Sequence, residues 1–549
     1  MPVTAPPKEF TRRLLGSTRA AVARVVRIVA VSLLLGMFAA PLVSAADGQD
    51  LDGLTIVSIR FVRYDVFDTS DEKTSSKPYR WANAVHIVSK EDFLRSQLLF
   101  EEGDPYSARL AAESARILRQ RRLMNPVDIS ARRVPEGVAV TVTTHDHWSL
   151  RTGGQLSVFG NRTNLYFDFE EDNLLGWGKG VTLAYDSNHE RSAWSYQYLD
   201  PNFLSSRWSV NVVHSNLSDG TRNELTVSRP FFSLSTPWSA GVQGLSENLT
   251  EHLYVSSQGA VSGRSHHESA RLWGGIRLPG NGRVSRRLLA GWEHRVDLYS
   301  DWQWTDGRPY PEPEDLVVNG PSLAFEQVVD NYEVVTGYQA WDTQEDISLG
   351  PDIRFGLTYS SPAFGGDTTR LLFEGGARVG DTAGNWLLLG DGWFSGRMDG
   401  NGAQNVVMGL KLGAAQLGTH GWQARLLAET SSQLALDRQL ALGADTGLRG
   451  WNPDHFDGTG RAVLNVQWRR LLKRDLLGLL SVGVLVFGDS GVTWAPRIGP
   501  GTDGVRFDAG VGLLLDLSHL SRTSLIQVSA GVPDDGSGIT FIVTTSAIF

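Results

Sequence analysis

Residues 505–517 read VRFDAGVGLLLDL, and apolar side chains occupy every second position of this stretch from Val505 to Leu517. An extended strand turns alternate side chains to opposite faces. The stretch therefore has one apolar face and one face that carries Arg506 and Asp508. The same two-residue period recurs at residues 181–185, 208–212, 464–468 and 526–530. The pattern predicts a mainly β, antiparallel structure over residues 148–549.

Such a sheet could be a soluble sandwich or a barrel in lipid, and three features favour the membrane. The segments are about 10 residues long, the length with which a tilted strand crosses the hydrocarbon. Aromatic residues cluster near strand ends, as in an interfacial girdle. The girdle candidates are Trp194, Tyr196, Tyr198, Trp208 and Trp451. The chain also ends on an alternating strand that closes with Phe549, so we expect a transmembrane β-barrel.

A bilayer forbids open sheet edges, so this sheet is predicted to be closed. Roughly 20 to 25 residues per strand and turn would permit about 16 to 20 strands, and an even number is needed if both ends face the periplasm. The alternating segments themselves number up to about 20. The first strand is predicted at 151–159 and the last at 539–549.

Residues 47–147 have a different pattern, which predicts one small α/β domain. A strand at 55–61 is followed by two helices, the first beginning at Ser89 and Asp92 like a capping box and the second beginning near Pro105. Strands at 127–131 and 138–142 complete the order. The polar insertion from Tyr64 to Trp81 is predicted to be an irregular loop.

The N-terminus has the order of a secretory signal peptide, predicted at residues 1–46. Six basic residues precede an apolar run at 28–43, which ends in small residues. Without this segment the formal net charge of −9 becomes −14, which argues against nucleic acid as a partner. The chain has no cysteine, so a disulfide scaffold, a cysteine nucleophile and a cysteine-ligated metal are excluded.

The order of elements in residues 47–147, together with LLFEEGDPYSARLAAESARILR at Leu98–Arg119, resembles a POTRA (polypeptide-transport-associated) domain. A POTRA-like domain, a barrel, LRGW at Leu448–Trp451 and VFGDSG at Val486–Gly491 together resemble the BamA/TamA superfamily of outer-membrane proteins. The motifs EEDNLLGWGKG at Glu170–Gly180 and YLDPNF at Tyr198–Phe203 also match. The resemblance covers essentially the whole mature chain, and it implies 16 strands.

The resemblance also implies which residues form the functional loop. Arg449, Gly450 and Trp451 match the family's loop signature, and this loop is expected to fold into the lumen. The strand motif that receives the arginine is matched by Phe487, Asp489 and Gly491. Many relatives place a glutamate on the strand after the loop, whereas this chain has Gln467. The surroundings of Arg449 are therefore expected to be less negative than is usual in the family.

The family acts in the insertion or translocation of polypeptides, and we expect the same of this chain in the outer membrane of a Gram-negative bacterium. Gly153 and Gly154 in the first strand are expected to weaken its pairing with the last strand, which ends at Phe549. That lateral seam could open and let an incoming strand pair with its edge. The expected partners are outer-membrane lipid and a polypeptide bound by the periplasmic POTRA-like domain.

Other functions remain open, among them a passive pore or structural barrel, a transporter for one dedicated exoprotein, and lipid export. The residues contain no GxSxG elbow, HExxH motif or phosphate loop, and GDSG at 488–491 is followed by Val492 rather than by glycine. His145, Asp146 and His147 lack a third ligand nearby and are interpreted as a solvated junction. We therefore predict no catalytic residue, no metal site and no cofactor.

Overall fold

The computed structural model describes residues 51–66, 76–120, 123–159, 162–255, 258–280, 283–341, 344–476, 480–516 and 525–544. The predicted signal peptide and Phe549 lie outside the described residues. None of the α-helices in the described part of the chain combines the length and the apolar character needed to cross a membrane.

The N-terminal domain is a three-stranded sheet packed against helices. Its elements are β1 Ile56–Tyr64, α1 Lys77–Val85, α2 Glu91–Gln97, α3 Ala108–Gln120, β2 Met124–Val134 and β3 Gly137–Asp146. The strand order is β1-β3-β2, with β1 parallel and β2 antiparallel to β3. Val138, Val140 and Val142 of the central strand are fully buried against Leu94 and Leu118 of the helices. The predicted alternation therefore marks the face that forms the core.

Two predictions about the helices of this domain are wrong. The predicted loop Tyr64–Trp81 overlaps helix α1, which has Pro78 in its first turn, where proline costs no hydrogen bond. Ser89 does not cap α2, whose N-cap residue is Lys90. The reason is that both the backbone N–H and the hydroxyl of Ser89 donate to the buried carboxylate of Asp146, at 2.7 and 2.9 Å.

Asp146 thus has a structural role at the end of β3, and the interpretation of His145–His147 as a solvated junction is wrong for this residue, which is buried. Burial is the largest influence on its carboxyl group and raises the pKa of Asp146 above its ordinary value. The folded domain therefore keeps this proton to higher pH than the unfolded chain, and the contribution of Asp146 to stability decreases as the pH rises through the raised pKa. Ser89 in turn accepts a hydrogen bond from Asn173 Nδ2 at 3.0 Å, which joins the domain to the C-terminal sheet.

Replacing Asp146 tests this role. An Asp146→Ala variant leaves the buried Ser89 N–H without its acceptor, and we expect a loss of about 1–3 kcal/mol of unfolding free energy in the N-terminal domain. Urea unfolding of the full chain, followed by protease cleavage within 51–147, measures it. Asp128→Ala, at an exposed position of the same sheet, should change the free energy by less than about 0.5 kcal/mol. Equal effects of the two variants would contradict the assignment.

The C-terminal region is one antiparallel sheet of twenty strands, counted over the described residues. The first ten are β4 Leu150–Phe159, β5 Arg162–Glu171, β6 Gly180–Ser187, β7 Ser192–Asp200, β8 Ser209–Leu217, β9 Gly220–Arg229, β10 Trp238–Val255, β11 Gln258–Arg277, β12 Val284–Trp304 and β13 Leu316–Val329. A separate hairpin follows, formed by β14 Tyr332–Thr336 and β15 Gln344–Ser348.

The remaining ten strands complete the sheet. They are β16 Asp352–Ser360, β17 Arg370–Ala383, β18 Trp386–Asp399, β19 Gly402–Gln416, β20 His420–Ser432, β21 Gly460–Leu476, β22 Leu480–Trp494, β23 Arg506–Asp516, β24 Leu525–Pro533 and β25 Thr540–Thr544. The last strand pairs with the first through Ile542–Phe159 and Val543–Val158, so the sheet closes as a barrel.

The family expectation of 16 strands is wrong for this chain, whereas the count of up to about 20 alternating segments agrees with the structure. The predicted strand length also fails in one sector. Strands β10, β11 and β12 have 18, 20 and 21 residues, and they pair along nearly their whole length. They therefore extend well beyond the roughly 10 residues that a crossing needs.

The two ends of the barrel differ, because the N-terminal domain packs against one of them. We call this end, where β4 begins, the near end, and the opposite end the far end. Lys90 N–H donates to the carbonyl of Gly176 at 2.9 Å, in the turn between β5 and β6. Gln97 Nε2 donates to Asn202 at 2.7 Å in the next turn on this end. The domain is therefore bound directly to the near-end turns.

Candidate functional site: the inward loop and the seam

Residues 433–459 connect β20 to β21 and fold back into the barrel. The loop has its own apolar core, in which Leu442, Leu448, Trp451 and Phe456 are buried together with Val463 of the barrel wall. Backbone hydrogen bonds between Leu442 and Phe456 close it into a compact unit. This packing brings the LRGW sequence to the lumen-facing side chains of β21 and β22.

Arg449 is fully buried, with 0% of its side chain exposed, and it forms the predicted contact with Asp489. Its Nε lies 2.7 Å from Asp489 Oδ2 and its Nη2 lies 2.8 Å from Oδ1, which is a bidentate pair. The guanidinium carbon also lies 3.8 Å from the ring centroid of Phe487. Two residues of the predicted strand motif therefore contact the arginine directly.

The third member of that motif, Gly491, has no side chain and so leaves room for the apolar core of the loop. A Cβ atom at this position would lie 2.9 Å from Leu442 Cδ2 and 3.2 Å from Leu448 Cδ2. A larger residue would push the loop core away from β22. Gly491 thus positions the loop without touching the arginine.

Gln467 occupies the place where a second carboxylate was expected from the resemblance, and it accepts a hydrogen bond from Arg449 Nη1 at 2.8 Å. Its amide nitrogen donates to Gln423 Oε1 at 2.8 Å. Gln423 in turn donates to the carbonyl of Tyr338 at 3.1 Å. A carboxylate at 467 could accept from the arginine but could not donate onward. The amide therefore links the loop to the β14–β15 hairpin.

The sequence analysis missed Asn465, which completes the site. Its amide nitrogen donates to Asp489 Oδ1 at 2.7 Å and to the carbonyl of Gly447 at 2.6 Å, so one side chain holds both the acceptor and the loop. The signal was present, because Asn465 and Gln467 are polar positions that alternate with Leu464 and Val466 in β21. Asn465, Gln467 and Arg469 all face the lumen.

The tip of the loop reaches β23, β24 and β25. Trp451 is buried, and its Nε1 lies 3.4 Å from the carbonyl oxygen of Phe507. The prediction that Trp451 belongs to an interfacial girdle is therefore wrong, since the LRGW loop turns inward. Trp194 and Tyr196, by contrast, are exposed on the outer face. The carbonyl of Gly450 accepts a hydrogen bond from Thr540 Oγ1 at 2.7 Å, which attaches the loop to the last strand.

The loop also contacts the other side of the seam. Asp454 pairs with Arg162 at 2.6 Å, and Arg162 begins β5, the neighbour of β4. Within the described residues the β25–β4 junction has two register pairs, whereas every other junction of the barrel has at least five. The loop therefore spans the junction with the shortest described pairing.

The glycines predicted to weaken the seam lie in the middle of β4. Gly153 pairs with Asp168 and Gly154 with Phe167 of β5. The described pairing of β4 with β25 includes only Val158 and Phe159 of β4. The predicted effect of these glycines on the seam therefore stays a prediction. Among the residues that the structure describes, no group of three or more His, Asp or Glu side chains is arranged to hold a metal ion.

Comparison with known structures finds distant likenesses. CdiB from Acinetobacter baumannii is similar at 11% identity over 90% of this chain and 74% of that chain, with a TM-score of 0.45. CdiB from Escherichia coli is similar at 12% identity over 98% and 99% of the two chains, with a TM-score of 0.43. BamA from Haemophilus ducreyi lacking POTRA domains 1–3 is similar at 13% identity over 89% and 84%, with a TM-score of 0.33. No family model and no curated protein matches the chain.

At TM-scores below 0.5 these likenesses establish neither a family nor a function. The site must therefore be interpreted from its own geometry. The described contacts form one connected unit: a buried arginine held by one carboxylate and one amide, a second amide that holds the carboxylate, a loop core packed against Gly491, and anchors on both sides of the seam. Together these contacts fix the loop against the barrel wall.

Proposed function

We propose that this chain is an outer-membrane barrel that assists the insertion or translocation of polypeptides, with its N-terminal domain in the periplasm of a Gram-negative bacterium. The observation that carries the proposal is the attachment of one inward loop to both sides of the seam, through Thr540 and Arg162. The loop therefore connects the strands on the two sides of this junction to each other. A seam held by a loop can be released.

The outer surface supports a location in lipid. Large apolar side chains project from the outer face of strands around the barrel, and Leu323 is 65% exposed and Val511 60% exposed. Others that share this face are Leu272, Ile276, Leu288, Leu412, Phe507, Leu513 and Phe541. A belt of this extent in water would be an aggregation hazard, whereas lipid is the solvent that it fits.

The N-terminal domain offers the second partner surface of this proposal. Strand β2 lies at the edge of the β1-β3-β2 sheet, and a free edge can accept an extended polypeptide as an added strand. The domain contacts the near-end turns, so a segment bound there would lie close to the barrel. The proposal assigns the chain no catalytic residue, cofactor or nucleic-acid partner.

A reversible cross-link of the seam tests the proposal. Val158 and Val543 are register partners, and directly opposed residues of an antiparallel pair have Cα atoms about 4.5–5.5 Å apart, within the range of a disulfide. The native chain has no cysteine, so a Val158→Cys, Val543→Cys variant carries a single possible bridge. In cells depleted of the native protein, we expect the oxidised variant to fail and the reduced variant to restore the outer-membrane protein content.

The matched control is a Val212→Cys, Leu225→Cys variant, which bridges β8 to β9 away from the seam. It should support the same outer-membrane protein content when oxidised and when reduced. Quantitative proteomics of outer-membrane fractions measures both. Full activity of the oxidised seam variant would refute opening of the seam, and loss of lipid components alone would favour lipid export instead.

A further inference from the structure

The β14–β15 hairpin is an insertion between two barrel strands, and its tip lies inside the near end of the lumen. The tip carries Trp341, which is buried with Leu485, Phe487, Leu514 and Leu525 of the barrel wall. The backbone N–H of Trp341 donates to Asp516 at 2.6 Å. Gly483 of β22 leaves the space for the indole ring, because a Cβ atom there would clash with it.

Polar contacts hold the rest of the tip. The guanidinium of Arg469, which is buried in the wall, donates to the carbonyl of Gly337. Gln423 donates to the carbonyl of Tyr338. Within the hairpin, Glu345 accepts the backbone N–H groups of Gln339 and Ala340 at 2.9 and 3.0 Å. The tip is therefore shaped by its own carboxylate and attached to two neighbouring strands, β20 and β21.

The base of the hairpin is bound to the N-terminal domain. Arg119 of α3 forms a bidentate pair with Asp346, with N–O distances of 3.0 and 2.8 Å. Arg116 lies over the ring of Tyr332, 3.9 Å from its centroid, and also pairs with Asp330 at 3.4 Å. One helix of the domain thus holds both strands of the hairpin.

The same hairpin is connected to the inward loop from the opposite side. Gln423 and Gln467 lead from Tyr338 to Arg449. Phe487 belongs to the same buried cluster as Trp341 and also contacts the guanidinium of Arg449. Movement of the hairpin would therefore remove contacts that fix the loop, and the loop spans the seam.

We propose that the β14–β15 hairpin is a gate, held in the near end of the lumen by helix α3 and coupled through Gln423 and Gln467 to the Arg449 loop. This inference deepens the proposed function, on which it rests, by naming how the N-terminal domain controls the barrel. A polypeptide that draws the domain away from the near end would pull on Asp346 and Tyr332. The hairpin would then leave the lumen, and the Arg449 loop would lose the contacts that reach it from the hairpin through Gln423 and Gln467.

Charge reversal at the base tests the gate in the full chain. Arg119→Glu replaces an attractive pair with repulsion, so we expect amide hydrogen exchange at Ala340 and Trp341 in detergent micelles to accelerate by about fivefold or more. The double variant Arg119→Glu, Asp346→Arg restores opposite charges and should return the exchange to the native rate. Arg132→Glu makes the same charge change at an exposed position of β2 and should leave it unchanged.

Conductance across planar bilayers gives the second readout. Tyr332 and Ser348 are register partners, so residues 333–347 can be replaced by an Asn-Gly turn. This variant should conduct continuously, Arg119→Glu should open more often than the native chain, and the double variant should close again. Native conductance in the deletion variant would refute the gate. Unchanged exchange in Arg119→Glu would refute its control by the domain.

These outcomes are separate from the failure of polypeptide transport. Hydrogen exchange in micelles depends on the contacts of the hairpin and requires neither a substrate nor an open seam. A chain that shows the exchange and conductance changes, yet remains fully active with an oxidised seam, would retain the gate and lose the lateral-opening mechanism.

Discussion

An Asp489→Leu variant should unfold with a free energy about 3–5 kcal/mol lower than that of the native chain, because it leaves the guanidinium of Arg449 buried without its carboxylate. Both side chains of this pair are fully buried. Gln467 and Phe487 would still contact the arginine, but neither neutralises its charge. Urea unfolding in detergent, followed by tryptophan fluorescence, measures the loss.

An exposed ion pair elsewhere in the barrel serves as the control. It shows how much stability is lost when a charge pair is broken without burial. Arg354 and Glu374 are 3.6 Å apart, and more than half of each side chain is exposed. Glu374→Ala should therefore cost less than about 1 kcal/mol. The double variant Arg449→Leu, Asp489→Leu should recover part of the loss, since it removes both charges of the pair together. Similar losses for Asp489→Leu and Glu374→Ala would show that the loop arginine is not held as described.

Gly450→Ala should displace the tip of the loop and weaken the seam. A Cβ atom at this position would lie 2.5 Å from Asp508 Cβ and 2.9 Å from the carbonyl carbon of Val532. Because a strand backbone cannot give way as a flexible side chain can, we expect a loss of about 1–3 kcal/mol. The hydrogen bond from Thr540 to the Gly450 carbonyl should break with it.

The consequence at the seam can be measured directly. In a Gly450→Ala background, the Val158→Cys, Val543→Cys bridge should form more slowly, because the strands spend less time in register. Gly400→Ala is the control, since that turn glycine has open space where the Cβ would lie. Equal rates of bridge formation in the two backgrounds would contradict a bracing role for the loop tip.

Local patterning was sufficient to predict which faces of the barrel strands are apolar, although not the length of β10, β11 and β12. The two-residue period in β21, β22 and β23 assigns a face to each residue, and the polar positions Gln467 and Asp489 indeed face the lumen. The two predictions of strand number, one from counting alternating segments and one from the family resemblance, differ. The count of up to about 20 alternating segments agrees with the described barrel, because the residues of each strand specify that strand. The family expectation of 16 strands does not agree with it.

The hairpin could not be predicted, because nothing in its own residues specifies its position. QEDIS is short and mostly polar, and the two valines of YEVVT are adjacent in sequence, so neither strand has a regular apolar face. Trp341 is buried only because Gly483, far away in the sequence, leaves room for its ring. Ser89 failed for a similar reason: a cap pattern is local, whereas the acceptor of its hydrogen bonds, Asp146, belongs to another strand.

The two glutamines between the loop and the hairpin carry no net charge. Each primary amide both accepts and donates, so the chain from Arg449 to Tyr338 has a direction. Arg449 can only donate and the Tyr338 carbonyl can only accept, so reversing either amide, or both, would place two donors or two acceptors face to face. The three hydrogen bonds of this link are therefore expected to form together and to break together. Neither amide titrates and the Tyr338 carbonyl is neutral, so acid and salt act only on the charged Arg449–Asp489 end of this link.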